Sequence, residues 1–143
     1  MVEFQNSLRI NTDVSAVYEY LSKVENFSKW NYAVSEVKKL KKKNGAGKEL
    51  YGIYRKSSGP KYEEGYLESS IPNQKLVMVI KGGWFPYEME YTLSVDGSQT
   101  LLNNKARLSP SKISYFPLQL AKNNLQKAVY QNLLVLKSKL ENY

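Results

Sequence analysis

The chain has 143 residues, the size of one ordinary domain, and a formal net charge of +8. It contains no cysteine and no histidine, which excludes disulfides, thiolate nucleophiles, Cys/His zinc sites and catalytic units built on histidine. No apolar run approaches the roughly 18 residues of a membrane span, and the N-terminus lacks the pattern of a signal peptide. We therefore expect one soluble, cytoplasmic domain over residues 1–143 that needs no cofactor.

The N-terminal segment changes from the period of a strand to the period of a helix. The first ten residues alternate between apolar and polar, which predicts a half-buried strand with Asn6 on its apolar face. Thr12 or Asp13 can cap the helix that follows, because a short side-chain oxygen accepts hydrogen bonds from the free N–H groups of the first turn. Residues 25–30 predict a second short helix.

Six further strands follow, separated by residues that favour turns. The predicted strands are residues 33–40, 48–56, 61–71, 75–81, 87–95 and 99–109. The predicted turns are residues 44–47, 57–60, 72–73, 82–83 and 96–97, all rich in glycine, proline, asparagine or aspartate. Consecutive hairpins of this kind favour one antiparallel sheet.

The C-terminal segment predicts a long helix. Pro110 and Pro117 bracket a connection, and from Pro117 to Tyr143 apolar residues recur at spacings of three, four and seven. Such a helix would be about 40 Å long at about 1.5 Å per residue. The fold class is therefore α+β, with a curved seven-stranded antiparallel sheet wrapped around the long helix and two short helices after the first strand. Any space left between sheet and helix would be a ligand cavity.

This order of elements resembles the helix-grip fold of the START and polyketide cyclase/dehydrase superfamily (SRPBCC). The resemblance spans the whole chain and rests on "INTDVSAVYEYLSKVENFSKW", "NGAGKEL", "YLESSIPNQKL" and "LQKAVYQNLLVLKSKLENY". It implies a START/polyketide cyclase-like domain that binds lipids, sterols or polyketides, or that cyclises them. Fold alone does not choose among these functions.

Aromatic residues are the leading candidates for a ligand site, because their rings supply apolar area and Tyr and Trp add a polar tip. One face of the predicted strand 87–95 carries Tyr87, Met89 and Tyr91. The alternative is that these side chains simply fill the core. The candidate ligand-binding residues are Phe27, Trp30, Tyr54, Trp84, Tyr87, Met89, Tyr91 and Phe116.

The carboxylates offer no clear catalytic pair. Glu88 and Glu90 oppose the apolar face of their strand and are expected to point to solvent. Glu63 is also expected to be exposed near the end of its strand. If Glu63 instead pointed inward with Leu67, an apolar pocket would raise its pKa and fit it to serve as an acid or base.

The lysine-rich stretch "KKLKKKNGAGK" over residues 38–48 carries the charge excess together with its flanks. It is not a Walker-type phosphate loop, because it joins two strands and lacks the required spacing. It contains no aromatic residue, which makes nucleic acid an unfavourable partner. The leading interpretation is a solvated hairpin, and a weak contact with an anionic surface stays open for Lys38, Lys39, Lys41, Lys42 and Lys43.

Three functions follow from the sequence. The first is binding or transport of a small hydrophobic, lipid- or polyketide-like ligand in a cavity between sheet and C-terminal helix. The second is an enzyme of the polyketide cyclase/aromatase kind, so whether the chain is an enzyme stays open. The third is an interaction module that uses the basic hairpin. The sequence is compatible with a monomer or a homodimer and identifies no catalytic residue.

Overall fold

The computed structural model describes residues 1–56 and 59–142. It confirms the predicted order of elements. Ser57 and Ser58 of a predicted turn, and Tyr143 at the end of the predicted helix, lie outside the described residues. The elements are β1 (Val2–Ile10), α1 (Val14–Ser22), a 3₁₀ turn (Val24–Asn26), α2 (Phe27–Trp30), β2 (Val34–Lys43), β3 (Glu49–Arg55), β4 (Tyr62–Ile71), β5 (Lys75–Lys81), β6 (Tyr87–Asp96), β7 (Gln99–Leu108) and α3 (Lys112–Glu141).

The strands form one antiparallel sheet in the order β1-β7-β6-β5-β4-β3-β2. This sheet and the long α3 confirm the α+β helix-grip fold. The sheet has two ends. We call the end with the 56–61 and 82–86 connections and the start of α3 the upper end. The end with the 44–48, 72–74 and 97–98 turns is the lower end.

Helix α3 runs from the upper end to the lower end and packs mainly against β1. Its leucines Leu133, Leu136 and Leu140 are buried in the largest core cluster. Asn6, on the apolar face of β1, donates a 3.0 Å hydrogen bond from Nδ2 to the backbone oxygen of Gln126 in α3. The polar residue that interrupts the strand pattern thus fixes the helix against the sheet.

The beginning of α3 differs from the sequence prediction. The helix starts at Lys112 rather than at Pro117, and Ser111 caps it by accepting from Ser114 N. Pro117 lies inside the helix and cannot donate to the carbonyl of Ile113. Ile113 is among the most exposed residues of the described chain, so water can hydrate that carbonyl and the lost bond is tolerated.

Of the two predicted caps for α1, Asp13 fills the position. Its Oδ1 accepts from Ala16 N at 2.9 Å, and this hydrogen bond lowers the pKa of Asp13. Thr12 instead donates from Oγ1 to the carbonyl of Leu140 at 3.0 Å. The start of α1 is thereby tied to the end of α3.

Leucines on the two faces of α3 should contribute differently to the free energy of unfolding. Leu136 is fully buried and Leu134 is partly exposed two residues away. Leu136→Ala should lower the free energy of unfolding by about 2–5 kcal/mol, because it removes packed methyl groups and leaves a cavity. Leu134→Ala, the matched control, should change it by less than about 1 kcal/mol. Urea denaturation measures both, and equal losses would contradict this placement of α3.

Candidate functional site

The enclosed cavity lies between the sheet and the segment from α1 to α2. The sequence had predicted it between the sheet and the C-terminal helix. Its lining includes no residue of α3, whose buried leucines pack directly into the core. The cavity is lined by Leu21, Val24, Phe27, Trp30, Leu67, Leu76, Met78, Ile80, Met89 and Tyr91.

The cavity is small. The space open to the centre of a water-sized sphere is about 20 Å³, about what one water molecule needs. Ligand pockets usually measure about 300–1,000 Å³. Met78 of β5 pairs with Met89 of β6, and Leu67 of β4 pairs with Met78 from the other side. The floor is therefore built from side chains that repack readily, because methionine is unbranched and flexible.

Four of the predicted ligand residues meet at this cavity: Phe27, Trp30, Met89 and Tyr91. Phe27 and Trp30 stack edge to face with ring centroids 5.0 Å apart. Trp30 contacts Tyr91 in the same manner at 6.2 Å. These edge-to-face contacts join the roof of the cavity, α2, to the floor strand β6.

Three predicted residues lie elsewhere. Tyr54 is 39% exposed and packs on Tyr62 at 5.0 Å, on the sheet face opposite the cavity, because its neighbour Ile53 occupies the core. Trp84 is 72% exposed in the β5–β6 connection, and Phe116 is 75% exposed on α3. The sequence signal that could have assigned Tyr54 to the outer face is the aliphatic Ile53 directly before it, because neighbouring residues of a strand point to opposite faces.

Tyr87, the remaining predicted residue, points inward but belongs to a polar cluster with Glu63 and Arg55. Its hydroxyl donates to Glu63 Oε1 at 3.2 Å, and Arg55 Nη1 donates to the same oxygen at 3.0 Å. Glu63 is only 2% exposed, so the expectation that it would be exposed is wrong. Glu63 shares its strand face with Gly65 and Leu67, and this parity holds it inside.

The glycine at position 83 makes room for the buried carboxylate. A Cβ placed on Gly83 would lie 2.6 Å from Glu63 Oε2, closer than van der Waals contact allows. A side chain at residue 83 would therefore force the Glu63 carboxylate to shift from its present position. Sequence reasoning assigned Gly82 and Gly83 to a turn and missed this role.

Burial is the main electrostatic effect on the cluster. It raises the pKa of Glu63, and the Arg55 guanidinium and the Tyr87 hydroxyl offset the rise only in part. Burial and the nearby Glu63 raise the pKa of Tyr87, so its hydroxyl stays protonated and donates. Tyr87 precedes the cavity residue Met89 by two positions on the same face. The cluster therefore places a proton acceptor and a proton donor beside the apolar cavity.

The charges on the outer face of the sheet form a separate network. Glu88 and Glu90 lie opposite the apolar face, as predicted. Arg107 Nη1 lies 3.2 Å from Glu90 Oε1 and 3.9 Å from Glu88 Oε1. In the described part of the chain, no group of three or more Asp or Glu residues could hold a metal ion. None of the described helices is long and apolar enough to cross a bilayer.

The lysine-rich stretch is the hairpin between β2 and β3, as the sequence predicted. Most of its lysines have a carboxylate oxygen between 3.4 and 4.0 Å from the ammonium nitrogen. Lys38 lies 3.4 Å from Glu36, Lys42 lies 3.6 Å from Glu64, and Lys39 and Lys43 flank Glu49 at 3.9 Å and 4.0 Å. These pairs are exposed and contribute little to stability, but they reduce the net charge of the hairpin.

A second, open groove runs beside α3 at the edge of the sheet and measures about 370 Å³. It is larger than the enclosed cavity and more open to solvent, and most of its lining residues are polar. Its lining consists of Asn6, Asn123, Gln126, Lys127, Tyr130 and Gln131. An apolar ligand would remain partly in contact with water there because the groove is open to solvent.

The raised pKa of Glu63 predicts a pH dependence of stability. The folded chain holds this proton more tightly than the unfolded chain, whose carboxyl titrates near 4.5. The contribution of Glu63 is therefore fully present below that pH and is lost as pH rises through the raised pKa. The stability of wild type relative to Glu63→Gln should fall as pH rises from about 4.5 through the raised pKa, by about 1.4 kcal/mol per unit of pKa shift.

Urea denaturation at several pH values measures this difference. Glu64→Gln, which alters a partly exposed carboxylate on the other strand face, controls for the loss of one negative charge. A relative stability that rises with pH would show that attraction by Arg55 outweighs burial.

Solved structures of low sequence identity share this fold. The TTHA0849 protein of Thermus thermophilus aligns with a TM-score of 0.74 at 16% identity over 97% of both chains. A START superfamily protein from Mycobacterium smegmatis gives 0.74 at 12% identity over 97% of both chains. The di-domain aromatase/cyclase StfQ of the steffimycin biosynthetic pathway gives 0.77 at 12% identity, over 98% of this chain and 50% of StfQ.

None of the curated protein sequences matches the chain significantly. The family described as polyketide cyclase/dehydrase and lipid transport matches residues 1–141. With the helix-grip fold described above, this match over nearly the whole length shows that the chain belongs to the polyketide cyclase/dehydrase and lipid transport family.

Proposed function

We propose that the chain binds a small hydrophobic, lipid- or polyketide-like ligand in the cavity between the sheet and the α1–α2 segment. The observation that carries this proposal is the pairing of an almost wholly apolar cavity with the Glu63–Arg55–Tyr87 cluster beside it. The apolar body of a ligand would occupy the cavity. Its polar end would exchange hydrogen bonds with the cluster or with the Tyr91 hydroxyl.

The cavity must expand to admit such a ligand, and its walls are suited to that change. Met78 and Met89 form the floor, and thioether side chains change rotamer at low cost. The roof is a 3₁₀ turn followed by a single-turn helix, which have few internal hydrogen bonds to hold them in place.

Filling the cavity should abolish binding of an apolar probe. We expect N-phenyl-1-naphthylamine, a neutral fluorescent probe, to bind wild type with one saturable site. Met89→Trp should weaken that binding at least tenfold because the larger side chain occupies the space that the probe needs, and fluorescence titration measures the affinity. Tyr54→Ala, on the opposite face of the sheet, is the matched control and should leave the affinity unchanged.

The Met89 variant carries a risk of overpacking, so Tyr91→Ala is tested beside it. Removing this ring takes away a wall of the cavity and should also change probe affinity. Saturable binding that neither substitution alters would contradict the cavity as the binding site.

A second function, chemistry on the bound ligand, is favoured by the buried cluster. Glu63, whose pKa is raised by burial, can accept or donate a proton, and Tyr87 can hydrogen-bond to a developing enolate oxygen. This function corresponds to a cyclase or aromatase, in which the cavity holds a reactive chain in a folded shape.

Native mass spectrometry distinguishes a carrier from an enzyme even when the ligand is unidentified. Wild type and Glu63→Gln are purified from the same cells, and the mass of any bound species is compared. A carrier should hold the same species in both proteins. An enzyme should hold product in the wild type and substrate in the variant, with masses that differ, for example, by one water for a dehydrating cyclisation. Circular dichroism verifies that the variant is folded.

A further inference from the structure

Large apolar side chains are exposed on the first turns of α3. Ile113 is 91%, Phe116 75% and Leu120 84% exposed. Their spacings of three and four residues place them on one helical face, away from the buried Leu118. Contiguous exposed apolar residues on a folded domain mark an interaction surface more often than isolated ones do.

Trp84 lies at the same end of the molecule. It belongs to the β5–β6 connection, and Ser109 N donates a 2.9 Å hydrogen bond to the carbonyl of Pro86. This bond joins the connection to the segment that leads into α3. Trp84, Ile113 and Phe116 therefore share the upper end, and we call these three residues the apolar tip.

The charges around the apolar tip are positive. Lys56, Lys61, Lys81 and Lys112 stand at the upper ends of β3, β4, β5 and α3. All four are exposed, and none forms an ion pair with a residue of the described chain. We call these four residues the upper lysines.

The acids nearest to the upper end are already engaged. Glu63 is buried against Arg55, and Glu88 and Glu3 lie beside Arg107. Helix α3 has five lysines but one acid, Glu141, at its lower end. The upper end therefore presents a positive potential around an apolar centre.

We propose that the upper end docks on an anionic lipid bilayer, with the apolar tip inserted at the interface and the upper lysines on the headgroups. Tryptophan suits this depth because its ring is apolar and its N–H is polar. Lysines near an anionic surface gain electrostatic free energy. A symmetric contact between two copies through this face would bring the upper lysines of one copy against those of the other.

The proposal concerns a surface and stands apart from the cavity proposal. Either one can fail alone, because vesicle binding needs no ligand in the cavity. It also differs from a contact through the lysine-rich hairpin, whose lysines extend toward the lower end and mostly lie beside acids.

Trp84 provides a direct readout on the wild-type chain. The sequence has only two tryptophans, and Trp30 is buried, so a change of environment on docking is reported mainly by Trp84. Vesicles of phosphatidylcholine with phosphatidylserine should shift the emission to shorter wavelength. Vesicles of phosphatidylcholine alone should shift it much less, and added salt should reverse the shift. Trp84→Phe should remove the response.

Vesicle flotation then assigns the surface. Lys81→Ser with Lys112→Ser should weaken binding about fivefold for each lysine, and Phe116→Ala should weaken it further. Lys41→Ser with Lys43→Ser in the hairpin, and Val95→Ala at the exposed lower end of β6, are the matched controls and should bind as wild type.

Three results would overturn the proposal. The first is the absence of both flotation and an emission shift with anionic vesicles. The second is loss of binding in the hairpin variant instead of the upper-lysine variant. The third is a concentration-dependent dimer, seen by light scattering without lipid and abolished by Phe116→Ala, which would assign the apolar tip to a second copy of the chain.

Discussion

The alternation of side chains across seven antiparallel strands is the constraint on which the site depends. In β6, Tyr87, Met89 and Tyr91 turn toward the helices, and the two glutamates between them turn away. The antiparallel register carries this division from strand to strand. The same alternation of side chains thus forms the apolar floor of the cavity on the inner face and the ion-pair network on the outer face.

The same alternation explains why a carboxylate is buried. Glu63 lies on the inner face of β4, and the strand cannot turn it outward without also turning Leu67 to solvent. Burying a lone carboxylate is costly, and a buried ion pair often recovers no more than that cost. The interactions of Glu63 with Arg55 and Tyr87 offset only part of the cost of burying its charge, because the pKa of Glu63 remains raised. The proposed contact of this cluster with a ligand would give the ion pair a role other than stability.

Sequence reasoning succeeded where one strand or helix contained all the information. The order of elements, the inward face of β6 and the Asp13 cap each follow from a few neighbouring residues. It failed where distant segments meet. Nothing local to Glu63 indicates that Gly83, twenty positions later, would leave room for it. Likewise, Phe116 is a hydrophobic residue in a helical repeat, and only the packing of α3 on β1 shows that it lies on the outer side.

The distribution of charge depends on this tertiary packing as well. In the sequence, the lysine-rich hairpin is the most conspicuous basic feature, but Glu36 and Glu49 flank it in the chain and folding adds Glu64, so that all three acids lie beside its lysines. The upper lysines are scattered over more than fifty positions and do not stand out in the sequence, yet the strand ends collect them around exposed apolar side chains. The potential that a partner meets is therefore set by which charges remain unpaired after folding, and the upper lysines are among these charges, at the end of the sheet where the Glu63 cluster also lies.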